Sequence, residues 1–205
     1  IQDFMNFILQ GEFADGMGQV EEYDITDDYL NLFKDNFNFG PRRVKVVVDP
    51  GNGTTSIIAK KLYEMFPIDL IMINDVSDGN FPNHHPDPSL EKNMESLKRR
   101  VVELNYDLGI AFDGDGDRVG IVDNLGNFYT ADYYLAIMSS YMKDNLDKLL
   151  FDVKCSKMLT DECEKNNIKP CMFKTGSSYT NMKMQEGNFT FGGEYSGHLF
   201  FRDKW

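Results

Sequence analysis

From residue 44 onward, short apolar runs alternate with longer segments whose apolar residues recur at helical spacing. The runs at 44–48, 68–73 and 108–112 are short enough and apolar enough to predict buried strands. Between them, the apolar residues of 57–65 and 90–101 recur every three or four positions, which predicts helices. This strand–helix order is typical of an α/β layer, in which helices cover a sheet.

The same alternation starts again beyond Asp117. Residues 124–127, Asn-Leu-Gly-Asn, lie between two apolar runs and indicate a hairpin turn. Further strands and helices are then predicted, so two α/β domains joined near residues 120–130 fit the pattern best. The predicted strands are 149–153, 169–173, 189–191 and 199–201, and the predicted helices contain Leu135, Met138 and Met142, then Met158, Leu159 and Cys163, and finally Met182.

The 205 residues carry 33 acidic and 21 basic side chains, a formal net charge of −12. This balance argues against a duplex nucleic-acid partner, because phosphate contacts need clustered Lys and Arg. Residues 1–33 hold eight acids and no Lys or Arg, which we interpret as a solvated acidic segment. No apolar run approaches the roughly 20 residues that a membrane span needs, so no membrane role is expected.

The three cysteines, Cys155, Cys163 and Cys171, have no CxxC spacing, so neither a disulfide framework nor a zinc site is expected. A reducing cytoplasm is therefore the predicted compartment. Because the chain opens on Ile1, we expect it to be a piece of something longer.

The strongest chemical signal is Asp113-Gly114-Asp115-Gly116-Asp117-Arg118, hereafter the acidic loop. Its glycines let the backbone wrap three carboxylates around one point, directly after a predicted strand. Hard oxygen ligands of this kind select Mg²⁺ or Ca²⁺. An EF-hand is excluded because its sixth and twelfth positions would be Arg118 and Asn124. An exposed acidic turn is the competing structural interpretation.

The second signal is Gly193-Glu194-Tyr195-Ser196-Gly197-His198, hereafter the GEYSGH loop. In an extended loop Glu194, Ser196 and His198 project to one side, which suits the paired hydroxyls of a sugar. An ordinary glycine-rich turn explains the spacing nearly as well.

Three weaker signals lie elsewhere in the chain. Residues 174–176, Lys-Thr-Gly, hereafter the KTG loop, precede Ser177 in a strand-to-helix turn that could offer backbone N–H groups to an anion. Lys154 sits at a strand end, where it is either solvated or directed into a cleft. His84 and His85 are adjacent and do not face one point, so their loop at 78–88 is interpreted as interdomain packing. The Gly-Asn-Gly at 51–53 is interpreted as a structural turn.

Taken together, the acidic loop, the GEYSGH loop, the KTG loop and the 78–88 loop resemble the phosphomannomutase/phosphoglucomutase group of the α-D-phosphohexomutase family. The resemblance implies an α/β fold of two consecutive three-layer α/β/α domains with mixed sheets, as part of a four-domain enzyme. Residues 1–24 would then be the end of a first-domain helix and a linker, 25–125 a second domain that ends in the metal-binding loop, and 126–205 an incomplete third domain with the sugar-binding loop.

That family moves phosphate between positions 1 and 6 of a hexose through a phosphoserine and a bisphosphorylated sugar, which also serves as activator. The resemblance implies one Mg²⁺ held by Asp113, Asp115 and Asp117, with the phosphoserine as a further ligand. It implies catalytic roles for Arg118, which adds positive charge, and for Lys154, in proton transfer or electrostatic support. The implied substrate-binding residues are Thr175, Gly176, Ser177, Glu194, Ser196 and His198.

Two residues depart from the family pattern. Ser177 stands where many members carry His, which puts an acid–base role at that position in doubt, and Tyr195 stands where Met is usual. No segment resembles the phosphoserine loop or the fourth domain. We therefore expect phosphosugars as partners, no turnover by this chain alone, and self-association through an unfinished domain edge. A phosphoglucosamine mutase and a noncatalytic sugar- or Ca²⁺-binding module are the alternatives.

Overall fold

The computed structural model describes residues 1–34, 37 and 40–202. The chain begins with helix α1 (Gln2–Gln10), which ends, as predicted, at Gly11 in the left-handed conformation (φ 68°). Glycine adopts this conformation without the steric cost that a Cβ brings. Helix α2 (Thr26–Lys34) follows, and neither helix buries a side chain.

The first unit contains β1 (Val44–Asp49), α3 (Ala59–Glu64), β2 (Ile68–Met72), α4 (Glu95–Leu104), β3 (Leu108–Phe112), β4 (Val119–Asp123) and β5 (Phe128–Tyr129). Its sheet has five strands in the order β2-β1-β3-β4-β5. Strands β1, β2 and β3 are parallel to one another, β4 is antiparallel to β3, and β5 is antiparallel to β4, so the sheet is mixed. Helix α3 follows β1 and helix α4 follows β2, each after a short 3-10 turn (Thr54–Ile57 and Glu91–Met94).

Alternating residues of β1 pack against opposite layers of this unit. Val47 packs with Leu97 and Val101 of α4 on one face, whereas Val46 and Val48 belong to a separate cluster on the other. That second cluster includes Tyr63 of α3. A buried strand with helices on both faces is the predicted three-layer arrangement.

The start of α3 differs from the prediction. Ile57 was expected on the apolar face but is 71% exposed, because a 3-10 turn over Thr54–Ile57 rotates it outward before the α-helix begins. The residue at the N-cap of that turn is Gly53, and no side chain caps it. The Thr54 hydroxyl donates to the Gly114 carbonyl (3.3 Å).

The second unit contains α5 (Ala131–Tyr141), a 3-10 turn (Lys143–Asn145), β6 (Lys148–Asp152), α6 (Lys157–Lys165), β7 (Lys169–Phe173), α7 (Ser177–Glu186), β8 (Phe191–Gly193) and β9 (Leu199–Phe201). Its sheet has four strands in the order β7-β6-β8-β9, with β9 antiparallel to the rest. Strands β7 and β9 have the predicted limits. Strand β8 begins at Phe191 and not at 189, because the Phe189 N–H donates to the Met184 carbonyl of α7 (2.9 Å) and not to a neighbouring strand.

Strand β6 is the centre of the second core. Leu149 and Phe151 pack in a cluster with residues of α5 and α6, whereas Leu150 packs with Met184 of α7 and Phe189. The three-layer prediction with mixed sheets is therefore confirmed for this unit also.

The hairpin predicted at 124–127 joins β4 to β5, with Gly126 at φ 81°. This pairing assigns Phe128 and Tyr129 to the first sheet, whereas a division after residue 125 assigns them to the second unit. Within residues 1–34, 37 and 40–202, no helix has the length and hydropathy that a membrane span requires.

Candidate functional site

The acidic loop follows β3 and rests against the turn at 50–53. The Thr54 N–H donates to the Gly114 carbonyl (2.9 Å). A Cβ on Gly53 would lie 2.7 Å from that same oxygen, and one on Gly116 (φ 83°) would lie 2.2 Å from the Thr55 hydroxyl. Gly53 is required by this close approach, because the backbone oxygen cannot move aside, whereas Gly116 is required by its positive φ, since the Thr55 hydroxyl can rotate away.

The three carboxylates of the acidic loop converge. One oxygen from each of Asp113, Asp115 and Asp117 lies within 4.8 Å of the others, a grouping that no other His, Cys, Asp or Glu residues form in the described part of the chain. Asp113 is buried and accepts hydrogen bonds from the N–H groups of Gly116 (3.0 Å) and Arg118 (3.1 Å). Asp115 and Asp117 are exposed. The backbone thus fixes one carboxylate and leaves two facing solvent.

Burial raises the pKa of Asp113, and the neighbouring Asp117 and Asp115 raise it further. The Arg118 N–H and guanidinium act in the opposite direction without cancelling the effect. The ionised triad is therefore electrostatically costly by itself. A hard divalent cation bound among three carboxylate oxygens would remove that cost, so the residues present fit such an ion.

Glu194 is the centre of the GEYSGH loop and is only 2% exposed. One of its oxygens, Oε1, accepts the Gly176 N–H (2.9 Å) and the Thr180 hydroxyl (2.9 Å). The other, Oε2, faces His198 Nδ1 (2.9 Å) and the Ser196 hydroxyl (3.5 Å). The three side chains that the sequence predicted on one side do lie together, although Glu194 faces inward.

Two effects set the pKa of Glu194. Burial raises it, but the hydrogen bonds from Gly176, His198 and Thr180 outweigh burial, so the net pKa is lowered. A buried carboxylate that is fully hydrogen-bonded stays ionised. Glu194 is therefore a fixed negative charge beneath the loop surface.

The acidic loop and the GEYSGH loop meet at Arg118 and His198. These two residues form an isolated antiparallel bridge, and the Val119 N–H donates to the Gly197 carbonyl (3.2 Å). His198 Nε2 lies 3.1 Å from Asp117 Oδ1, while its Nδ1 faces Glu194. Each ring nitrogen of His198 thus faces a carboxylate, one from each loop.

Arg118 completes this junction. Its Nε lies 3.5 Å from Asp113 Oδ2, 3.9 Å from Asp117 Oδ1 and 3.4 Å from His198 Nε2. The Arg118 side chain is about one-third exposed, and its guanidinium places positive charge beside the triad.

The sequence reasoning missed Asp152 and Thr180. Asp152 is the last residue of β6 and is 2% exposed. It accepts the Thr175 hydroxyl (2.7 Å) from the KTG loop and the Tyr195 N–H (3.0 Å) from the GEYSGH loop. An Asp directly after a buried strand was the available signal, since strand ends of α/β sheets face ligand sites. Thr180 gave no signal beyond its place on a helix.

Two predicted site residues lie outside these hydrogen bonds. Lys154 is exposed in the turn after β6, and Ser177 is exposed as the first residue of α7. Gly176 is the N-cap of that helix and has φ 133°, a conformation that favours glycine. In the KTG loop the Lys174 ammonium lies 3.4 Å from the centre of the Tyr179 ring, so Lys174 packs on α7, the helix that follows the loop.

His84 belongs to a separate cluster next to the acidic loop. Its Nε2 lies 3.0 Å from Asp49 Oδ2, and this hydrogen bond raises the pKa of the imidazole. Asp49 is 1% exposed and also accepts from the Asn74 amide. His85 is exposed, so the two imidazoles do not converge. Only Pro88, at the end of the 78–88 loop, lines a small cavity with Tyr195 and Ser196 of the GEYSGH loop.

Two family models match the chain. Phosphoglucomutase/phosphomannomutase, alpha/beta/alpha domain II, matches residues 27–126, and alpha/beta/alpha domain III of the same family matches residues 130–205.

Individual proteins are similar over the whole chain. A phosphomannomutase/phosphoglucomutase of Pseudomonas syringae is 41% identical over 207 positions, and one of Pseudomonas aeruginosa is 40% identical over 210; each match covers 100% of this chain and 44% of the relative. A crystal structure of a phosphoglucomutase/phosphomannomutase family protein from Burkholderia thailandensis superposes with a TM-score of 0.92 at 34% identity, covering 100% of this chain and 45% of that one. This chain thus spans less than half the length of these relatives.

Proposed function

Because this chain belongs to the phosphoglucomutase/phosphomannomutase family, we propose that it carries the metal-binding and sugar-binding loops of a hexose phosphomutase. The reaction interconverts hexose 1-phosphate and hexose 6-phosphate of the mannose or glucose type, through a phosphoserine and a bisphosphorylated sugar. The observation that carries the proposal is the junction of Arg118 with His198, which unites the acidic loop and the GEYSGH loop in one site.

Asp113, Asp115 and Asp117 are the proposed ligands of one Mg²⁺. Their converging oxygens and the raised pKa of Asp113 support this assignment, because both favour a cation among them. When bound, the ion supplies positive charge that stabilises a phosphoryl group during transfer. All three donors are carboxylate oxygens, the hard ligands that Mg²⁺ prefers.

The side chains of this site have separable tasks. The guanidinium of Arg118 is held between Asp113 and His198, where it can pair with a phosphoryl oxygen. Ser196 and His198 are the accessible polar groups of the GEYSGH loop, and Glu194 orients both from below. Because these contacts are built before a ligand arrives, little reorganisation is needed on binding.

The N-terminus of α7 offers a second place for an anion. This helix has ten residues (Ser177–Glu186), and Ser177 and Ser178 begin it with exposed side chains. Its first N–H groups have no partner within the helix, so they suit a phosphate oxygen. Lys154, exposed in the turn after β6, is proposed to add positive charge or to transfer a proton. The free thiols of the three cysteines support the expected cytoplasmic setting.

The test is titration of the full chain with glucose 6-phosphate, mannose 6-phosphate and glucosamine 6-phosphate, with and without Mg²⁺, followed by calorimetry. We expect binding that Mg²⁺ strengthens, with the mannose or glucose ester preferred. Preference for the amino sugar ester would favour a phosphoglucosamine mutase, and binding of free sugars alone would favour a noncatalytic module. A coupled mutase assay on this chain should show no turnover, since no segment resembles the phosphoserine loop.

A further inference from the structure

Asp152 occupies the point where the carboxyl ends of three strands come together. It ends β6, whose neighbours in the sheet are β7 and β8. The KTG loop follows β7 and the GEYSGH loop follows β8, so both loops leave the sheet beside this side chain. Burying a carboxylate is costly unless each oxygen is hydrogen-bonded, and Asp152 is 2% exposed.

The two oxygens of Asp152 bind different parts of the chain. Oδ2 accepts the Thr175 hydroxyl (2.7 Å) from the KTG loop. Oδ1 accepts the Tyr195 N–H (3.0 Å) from the GEYSGH loop, and the Cys155 thiol lies 3.3 Å from the same oxygen. One buried charge therefore holds both loops.

Glu194 connects the same two loops from the other side. Its Oε1 accepts the N–H of Gly176, which is the residue after Thr175, while Tyr195 is the residue after Glu194. The contacts form a closed ring in which two carboxylates alternate with two loop segments. Neither loop can shift by itself without breaking a hydrogen bond to a buried charge, which is among the stronger kinds of hydrogen bond.

We propose that Asp152 is a positioning residue, one that does not touch substrate but fixes the KTG loop and the GEYSGH loop in a single geometry. The positioning of the two loops follows from the contacts alone. Its consequence, tighter phosphosugar binding, rests on the proposed function. Two measurements therefore test it separately.

The first measurement is amide hydrogen exchange by NMR in the full chain, comparing wild type with Asp152→Asn, Thr175→Val and Leu97→Ala. The Gly176 amide is informative because its acceptor is Glu194 and not Asp152. In Asp152→Asn we expect the amides of both Tyr195 and Gly176 to exchange about tenfold faster or more, while those of β6 stay protected. In Thr175→Val only the Gly176 amide should accelerate.

Leu97→Ala removes a fully buried side chain from the other unit and controls for a general loss of stability. It should accelerate neither amide selectively. If Asp152→Asn does not fold, Thr175→Val and the control still decide the matter. A protected Gly176 amide in Thr175→Val, or the same exchange pattern in the Leu97→Ala control, would overturn the inference.

The second measurement is the affinity for glucose 6-phosphate. Asp152→Asn should raise Kd by roughly tenfold, because misplacement of a loop weakens every contact made from that loop, whereas Leu97→Ala should leave Kd within about twofold. Loosened loops with an unchanged Kd would contradict the positioning role. A wild type that binds no phosphosugar would contradict the proposed function, and the exchange data alone would then test the positioning role of Asp152.

Discussion

The acidic loop and the GEYSGH loop both contain carboxylates flanked by glycines, yet they stabilise those carboxylates in opposite ways. Glu194 is surrounded by donors that lower its pKa, whereas the pKa of Asp113 is raised by burial and by two neighbouring acids. The GEYSGH loop satisfies its carboxylate within the protein, whereas the acidic loop is electrostatically favourable only with a cation added. Position in the fold, and not residue type, determines which behaviour a buried acid has.

The largest effect is expected at Glu194. Glu194→Gln keeps the size of the side chain but loses charge-assisted hydrogen bonds and turns an amide donor toward existing donors, so we expect unfolding free energy at pH 7 to fall by about 2–4 kcal/mol. Urea unfolding measures this loss. Exposed Glu186 at the end of α7 supplies the control, and Glu186→Gln should change little.

The same variant has a predictable pH dependence. Because the pKa of Glu194 is lowered from 4.5 in the fold, its stabilising contribution is present above that value and disappears as pH falls through the folded-state pKa. The stability gap between wild type and Glu194→Gln should therefore stay constant from pH 7 to about pH 4.5 and narrow as the pH falls below that value. A gap that stays constant below about pH 4.5 would show that the charge of Glu194 is not what stabilises the loop.

Matched glycine substitutions compare the backbones of the two loops. Gly197 (φ 103°) and Gly116 (φ 83°) both have positive φ, but a Cβ at 197 would lie 2.8 Å from the Val119 carbonyl oxygen, which cannot rotate away as the Thr55 hydroxyl can. We expect Gly197→Ala to cost about 2–3 kcal/mol and Gly116→Ala about 1–2 kcal/mol. Gly79→Ala, with open space around it, is the control for thermal unfolding. The reverse order would mean that the acidic loop is the more rigid of the two.

Mg²⁺ should stabilise the protein through the acidic loop alone. At a concentration ten times its Kd, the ion should add about 1.4 kcal/mol to the unfolding free energy of wild type, which a thermal shift detects. Asp115→Asn should abolish most of that shift and leave the metal-free protein as stable as before or slightly more so, since one repulsive charge is gone. Asp75→Asn, at an exposed position outside the loop, should keep the full response. A Mg²⁺ shift that survives in Asp115→Asn would rule out the proposed ligand set.

The smallest effect on stability is expected at Lys154, which is exposed and lies outside both loops. Lys154→Gln should leave the melting temperature essentially unchanged, as surface substitutions usually do. The affinity of this variant for phosphosugars should nevertheless fall, because the proposed function places the Lys154 ammonium near the bound phosphate. Unchanged affinity would remove Lys154 from the proposed site.

Much of the fold was predictable because strand and helix signals are local. The limits of β3, β7 and β9 follow from apolar content and turn residues within a few positions. The exposure of Ile57 was not predictable in this way, because it depends on a 3-10 turn that the sequence does not distinguish from the first turn of an α-helix.

The site was predictable to a similar degree. The residues within each motif, the acidic loop and the GEYSGH loop, lie close together in the structure. The spacing of glycines and carboxylates in the sequence sets this local geometry. The hydrogen bonds that support them were not foreseen. Asp152 and Thr180 act on residues 14 to 43 positions away in sequence, and only the packed sheet brings those residues into reach.

The contact between Gly53 and Gly114 has a consequence for protein engineering. The six residues of the acidic loop would not form the same site if transplanted into another scaffold, because the conformation also requires the Thr54 N–H and the bare backbone of Gly53 from a turn some sixty positions earlier. A graft would need both segments at their native spacing. By the same reasoning, a sequence search for the hexapeptide alone should also return unrelated proteins that lack this site. Requiring in addition a Gly followed by Thr after an upstream strand should exclude those proteins.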